Sequence, residues 1–310
     1  MDNPFYRRDV ISTRDIARDE LEMLFKATDR IREMSMQERL SICKGKVLCY
    51  LFFEPSTRTR LSFEIAMASI GGTSIGIASG KESSMEKGES LVDTIRVVDS
   101  YSDVIVLRHW LDGSARLAAE VAEKPVINAG SGAEEHPTQA MLDLYTMMKE
   151  KGRIDGLKIG IVGDLKYSRT VYSLLYALAR YSVEVHLIAP PMLRIRRESL
   201  YALDSLHIKE HDSIDEVIDV LDVIYVTRIQ RERFPDPHEY EKVKHSYIID
   251  GRVLEDAKSD AILLHPLPRV DEVAYEVDSD SRARYFKQAS YGKDVRAALL
   301  ALIINPNLPV

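Results

Sequence analysis

The chain has 310 residues, 45% of them hydrophobic, and a formal net charge of -7. That length supports two ordinary hydrophobic cores, and an acidic balance with interspersed Lys and Arg offers no basic face to a nucleic-acid backbone. No apolar run approaches the roughly 20 residues of a membrane-spanning helix, the N-terminal residues lack a signal-peptide pattern, and Cys43 and Cys49 are the only cysteines, without metal-ligand spacing. The expectations are no nucleic acid, no membrane, no metal or other cofactor, and a reducing, cytoplasmic setting.

In chain order, Ser12-Thr13-Arg14-Asp15 has capping-box form and precedes a helical stripe of Leu21, Leu24, Phe25, Thr28 and Ile31, predicting a helix to about Met34. Short β-branched runs then alternate with helical patterns. Strands are expected at 46–53, 73–78, 104–107 and 125–128, with helices starting at Ser56, Glu89 and Gly113. The helix from Ser56 shows apolar residues at Leu61, Phe63, Ile65, Ala66 and Ile70, with Gly71-Gly72 as its stop. After a long helix from Pro137 to about Lys151, a second series of strands is expected at 158–162, 183–188, 222–227, 247–250 and 261–264. A last apolar helix near 295–304 needs a large apolar surface and is expected to return to the first domain. The fold class is therefore α/β, with two doubly wound parallel-sheet domains and the active site in the crevice between them. The expected domains are residues 1–134, completed by a C-terminal helix 288–310, and residues 135–287.

Ligands of parallel sheets bind beyond the carboxyl ends of the strands, and several polar residues sit there. Ser56-Thr57-Arg58-Thr59-Arg60 follows a buried strand and a Glu54-Pro55 turn, so Ser56 reads as a helix N-cap and Arg58 lies in the first turn. Such a turn offers backbone N–H groups, the helix dipole and guanidinium groups to a phosphate; the plainer alternative is a capped surface helix with solvated arginines. Arg108 and His109 follow the strand at 104–107. His136-Pro137-Thr138-Gln139 opens the long helix with Pro137 at its first position, and His136 can donate to a carbonyl oxygen or serve as a cap. Gly160-Ile161-Val162-Gly163-Asp164-Leu165-Lys166-Tyr167-Ser168-Arg169-Thr170 is a poor dinucleotide turn, because the glycine spacing is wrong and Leu165, Lys166 and Tyr167 are bulky. Arg169 there suits a carboxylate, as does Arg228 in Thr227-Arg228-Ile229-Gln230. His265-Pro266-Leu267-Pro268-Arg269 leaves carbonyls for an amine, or is a rigid connector. The polar loop 79–89 carries Ser83 and Lys87; Lys87 is a candidate phosphate contact, a solvated lysine being the commoner case.

With Phe52-Phe53-Glu54-Pro55-Ser56-Thr57-Arg58-Thr59-Arg60, His136-Pro137-Thr138-Gln139, the Gly163 to Thr170 run and His265-Pro266-Leu267-Pro268-Arg269 in order, the chain resembles the aspartate branch of the aspartate/ornithine carbamoyltransferase family. The ornithine branch carries His-Cys-Leu-Pro where His265-Pro266-Leu267-Pro268 stands. The resemblance implies carbamoyl transfer to L-aspartate in de novo pyrimidine synthesis. It assigns Ser56, Thr57, Arg58, Thr59, Arg108, His136 and Gln139 to carbamoyl phosphate, the first domain's ligand. Arg58, Thr59, Arg108 and His136 carry catalysis, and Arg169, Arg228, Gln230 and Leu267 in the second domain bind L-aspartate. Ser83 and Lys87 match a loop that the family lends to the neighbouring subunit's site, Ser83 toward carbamoyl phosphate and Lys87 toward both substrates, which implies a homotrimer with shared active sites. Glu54, Arg233, Tyr240 and Asp271 match positions that hold the family's closed arrangement. Ser84, Met85 and Glu86 depart from the family's usual loop. The resemblance also allows for separate regulatory chains and an allosteric assembly. Competing readings are a carbamoyltransferase for another amine such as ornithine, a metabolite-binding subunit without turnover, and a nicotinamide-dependent oxidoreductase.

Overall fold

The computed structural model describes residues 3–80, 84–201, 203, 205–231, 234, 236–244 and 246–308. The chain forms two compact units, Met1–Leu142 with Ser290–Val310, and Asp143–Ala289.

In the first unit, α1 (Arg18–Glu33) and α2 (Met36–Ser41) precede a four-stranded sheet. Its strands are β1 (Val47–Phe52), β2 (Thr73–Ile77), β3 (Val104–His109) and β4 (Val126–Ser131), in the order β2-β1-β3-β4 and all parallel. Crossovers run through α3 (Thr57–Ser69), α4 (Leu91–Asp99) and α5 (Ser114–Val121), and α6 (Pro137–Lys151) follows β4. Helices cover the sheet, so the strands β3 and β4 are almost completely buried, β3 as the apolar run Val104 to Leu107 and β4 even at its polar residues Asn128 and Ser131.

Local expectations fail here in three instructive places. Ser12 caps a short 3-10 turn, Thr13–Asp15, through Arg14 N–H, whereas α1 starts later, with Glu20 accepting the Ala17 N–H at 2.7 Å. In α3 the buried stripe is Thr59, Phe63, Ala66 and Met67. Leu61 and Ile65 are one turn apart on another face and are exposed. Arg108 and His109 belong to β3 itself, with Arg108 in register with Phe52.

The second unit holds a five-stranded sheet in the order β7-β6-β5-β8-β9, again all parallel. The strands are β5 (Lys158–Val162), β6 (Glu184–Ile188), β7 (His207–His211), β8 (Val223–Val226) and β9 (Ile262–Leu264), joined through α7 (Arg169–Leu178), α8 (Arg197–Tyr201), α9 (Pro237–Val243) and α10 (Gly251–Glu255). Strand β7 is polar and half-exposed at the edge, so no apolar alternation announced it. Residues 247–250 are not a strand: Ile249 makes a single bridge to Val273, β9 occupies the place beside β8, and the Asp250 carboxylate caps α10 through Val253 N–H at 3.0 Å. The last helix, α11 (Tyr285–Ile304), belongs to the first unit from Ser290 onward. Val295, Leu299, Leu300, Leu302 and Ile303 are fully buried there.

Candidate active site

In each sheet the chain changes direction of winding once, and a crevice opens at the carboxyl ends of the two strands that flank that point. The flanking strands are β1 and β3 in the first unit and β5 and β8 in the second. Arg58, Arg108, Arg169, Arg228 and Gln230 follow or end these four strands, whereas His136 follows β4, Leu267 follows β9 and Lys87 lies between β2 and α4.

At the end of β1, Ser56 sits at the N-cap of α3 with extended backbone (φ -158°) and no capping hydrogen bond from its side chain. The N–H groups of the first turn of α3 have no intrahelical carbonyl to meet. Thr57 and Arg58 are exposed in that turn, Thr59 is buried, and Arg60 is committed to Glu64 at 2.9 Å. At the end of β3, Arg108 donates to Glu54 Oε1 at 2.8 Å and to the Ala129 carbonyl at 3.1 Å, while the Phe53 N–H donates to the Arg108 carbonyl. Glu54 thus orients the Arg108 guanidinium within the unit. Its neighbour His109 is buried, stacked on Trp110 and held by the Leu111 N–H on Nδ1 at 3.0 Å; burial lowers its pKa. His109 is a packing residue.

His136 lies beyond β4, buried, as the residue before α6, where its carbonyl accepts the Gln139 N–H at 3.0 Å. The adjacent Glu135 fixes this turn: its carboxylate accepts from the Ser12 hydroxyl and, at 2.9 Å each, from the Thr13 N–H and hydroxyl. Arg296 of α11 ties the start of α6 to α3, donating to Ser62 Oγ at 2.8 Å and to Thr138 Oγ1 at 3.4 Å. Lys87 is exposed at the end of a 3-10 turn, Ser84–Lys87. Ser83, with Arg233 of the second unit, lies outside the described residues.

In the second unit, β5 ends in a turn that only glycine allows at position 163. Its φ is +120°, and a Cβ there would stand 2.4 Å from both the Thr227 carbonyl oxygen and Tyr247 Oη. Asp164 is fully buried and accepts from the N–H groups of Tyr167 at 2.9 Å, Lys166 at 3.2 Å and Gln230 at 3.3 Å. Burial raises its pKa, opposed by these bonds and by nearby Arg228. One carboxylate therefore brings together the turn leading to Arg169 and the segment carrying Arg228 and Gln230. Arg169, first residue of α7, is buried; Arg228 and Gln230 are half-buried just past β8. Arg228 also borders a cavity of about 150 Å³ lined by Arg231, Tyr240, Lys244 and Asp271 among others. Beyond β9, Leu267 is half-buried with φ +58°. Among the described residues no group of three or more His, Cys, Asp or Glu side chains could hold a metal ion.

Residues 8–149 match the family described as aspartate/ornithine carbamoyltransferase, carbamoyl-P binding domain, and residues 155–303 match its Asp/Orn binding domain. The chain belongs to the aspartate/ornithine carbamoyltransferase family. Within that family it is 60% identical over 306 residues to the aspartate carbamoyltransferase catalytic subunit of Nitrosopumilus maritimus, covering 98% of this chain and 99% of the relative. To the same subunit of Thermococcus onnurineus it is 54% identical over 300 residues, covering 96% and 97%. The catalytic subunit of M. jannaschii aspartate transcarbamoylase superposes with a TM-score of 0.88 at 49% identity, covering 97% of this chain and 99% of the other. The Trypanosoma cruzi enzyme in complex with carbamoyl phosphate and aspartate gives 0.92 at 38% identity, covering 97% and 98%.

The motifs pointed to polar residues at strand ends, and the structure places Arg58 and Arg108 at the winding change of one sheet and Arg169 and Arg228 at that of the other. They missed Glu135, Arg296 and the Ser12–Thr13 pair, whose partners lie more than 100 positions away in the chain. Asp164 stood inside a quoted motif, yet nothing local revealed that its carboxylate gathers both segments.

Proposed function

We propose that this chain transfers the carbamoyl group of carbamoyl phosphate to the α-amine of L-aspartate, giving N-carbamoyl-L-aspartate and phosphate in de novo pyrimidine synthesis. What carries this reading is the coincidence of two things. The chain is 60% identical over nearly its whole length to a protein named for that activity, and it keeps cationic residues at the winding change of each sheet, Arg58 and Arg108 in one and Arg169 and Arg228 in the other.

In this reading the first domain takes carbamoyl phosphate and the second takes aspartate. Ser56, Thr57, Arg58, the N–H groups opening α3 and Lys87 hold the phosphate. Thr59, Arg108 and His136, with Gln139 beside them, act on the carbamoyl group, the first three by stabilising negative charge on its oxygen. Arg169 and Arg228 grip the two carboxylates, assisted by Gln230 and the backbone at Leu267. The α-amine attacks the carbamoyl carbon, a C–N bond forms as the C–O bond to phosphate breaks, and the amine proton leaves on the departing phosphate. Holding two anions in reacting geometry supplies much of the acceleration.

Ser83 and Lys87 complete the neighbouring subunit's site in a homotrimer, with separate regulatory chains as a further class of partner and allosteric control as its consequence. The setting is cytoplasmic, in keeping with two buried, unbridged cysteines. The direct test is phosphate release from carbamoyl phosphate with L-aspartate, measured beside L-ornithine. Release with aspartate alone is expected; release only with ornithine, or with neither, overturns the assignment.

A further inference from the structure

The run Pro266-Leu267-Pro268 contains one backbone N–H, that of Leu267, because proline has none. It donates to His265 Nδ1 at 2.8 Å. A backbone N–H can only donate, so Nδ1 is an acceptor and the ring proton sits on Nε2. There it meets Glu272 Oε1 at 2.7 Å. Glu272 Oε2 in turn accepts the N–H groups of Val270 at 3.1 Å and Asp271 at 3.2 Å. The two side chains are buried, at 1% and 5% exposure. Burial would raise the Glu272 pKa, but the bond from His265 and the backbone donors outweigh it, so the carboxylate is ionised. The His265 backbone is fixed as well: its N–H donates to Gln288 Oε1 at 2.9 Å, and Gln288 Nε2 donates to Asp143 Oδ1 at 2.6 Å.

We infer that His265 and Glu272 are positioning residues for the amino-acid substrate: Glu272 selects the Nε2–H tautomer of His265, and that tautomer holds Leu267 in its left-handed conformation with the loop's carbonyls turned to the substrate. The inference rests on the proposal that the backbone at Leu267 takes L-aspartate. The left-handed region is one a leucine enters only at a cost, so the turn needs such a clamp. With one donor in the run already taken, what the run offers a ligand is acceptors, and these suit an amine.

The polarity of this relay makes an isosteric change decisive. In Glu272→Gln the amide can accept from Val270 and Asp271 only by turning its NH2 toward His265, which forces the ring proton to Nδ1 and against the Leu267 N–H. Turned the other way, it meets two backbone donors with a donor. His265→Asn keeps an acceptor for the N–H two residues on, the geometry of an Asx turn, and asks nothing of residue 272.

The experiment is steady-state kinetics on the full chain, with calorimetric carbamoyl phosphate affinity as the control for folding. Glu272→Gln should raise the aspartate KM by about tenfold or more, with carbamoyl phosphate affinity unchanged. His265→Asn should stay within about threefold of the parent, and His265→Asn combined with Glu272→Gln should return to that level, a rescue that a merely structural role does not give. Comparing His265→Ala, expected to behave like Glu272→Gln, with His265→Asn repeats the test without touching residue 272. A double variant worse than both single ones, or equal KM values for His265→Ala and His265→Asn, overturns the inference. Absence of aspartate-dependent phosphate release in the parent chain would instead sink the underlying reading.

Discussion

Arg228 and His136 stand at different strand ends and should fail differently. Arg228→Ala removes a guanidinium assigned to the aspartate carboxylate, so both binding and orientation suffer. The expected loss is on the order of a hundredfold in kcat/KM, divided between a raised aspartate KM and a lowered kcat. His136→Ala removes a donor assigned to the carbamoyl oxygen, whose charge grows only on the way to the transition state. Turnover should fall by roughly 10²–10³ while carbamoyl phosphate affinity changes little, which stopped-flow or calorimetric binding beside steady-state rates would separate. Gly163 makes a structural prediction of the same sharpness. A methyl group at φ +120° would collide with the Thr227 carbonyl and Tyr247 Oη, so Gly163→Ala should cost more than about 2 kcal/mol, read as a lowered urea midpoint.

The pairing of β6 with its edge strand β7 couples stability to pH. A row of side chains runs Glu184, His186, His211, Glu216, with contacts of 2.8, 3.0 and 3.1 Å. Lys209 and His207 of β7 also face Glu184, at 2.9 and 3.6 Å. The hydrogen bond from Lys209, against a smaller opposing effect of burial and with help from His186, takes the Glu184 pKa down to about 2 from an ordinary 4.5. A depressed carboxylate stabilises the fold above 4.5, and that contribution disappears as pH falls toward 2. Burial lowers the His186 pKa below 6.5, partly offset by Glu184. The unfolded chain therefore takes up that proton first, and stability also declines as pH falls below 6.5. Both effects point the same way. Urea midpoints should drop from pH 7 to pH 3, and Glu184→Gln should flatten the acid end of that curve.

Strand β7 was also the element hardest to see beforehand. Its stability comes from this polar row and from pairing with β6, neither of which leaves a period in the sequence, whereas β1, β3, β5 and β8 announced themselves by the apolar runs Val47 to Phe52, Val104 to Leu107, Ile159 to Val162 and Val223 to Val226. At the candidate site, the residues proposed to meet ligands were legible because they cluster in short motifs at strand ends. Glu135, Asp164 and Arg296 act through distant partners, and only the folded chain reveals those.

For the molecule as a whole, the proposed homotrimer makes a clear demand. Lys87→Ala and Arg58→Ala chains, each inactive alone, should regain activity when unfolded together and reassembled, because a hybrid trimer contains a site that draws each residue from an intact chain. Mixed preparations that stay inactive despite forming trimers by native mass measurement would remove Lys87 from the neighbour's site.

The buried face of α11 has a consequence for the order of events at the ribosome. Val295, Leu299, Leu300, Leu302 and Ile303, all at most 1% exposed, contribute on the order of 10 kcal/mol by burial, comparable to the whole net stability of a domain. Residues 143–289 are contiguous and can close on themselves as soon as they emerge. The earlier-made lobe must wait, half-built, until α11 has followed residues 143–289 and sealed it, and this long exposure of its apolar strands is where nascent-chain chaperones would find their grip.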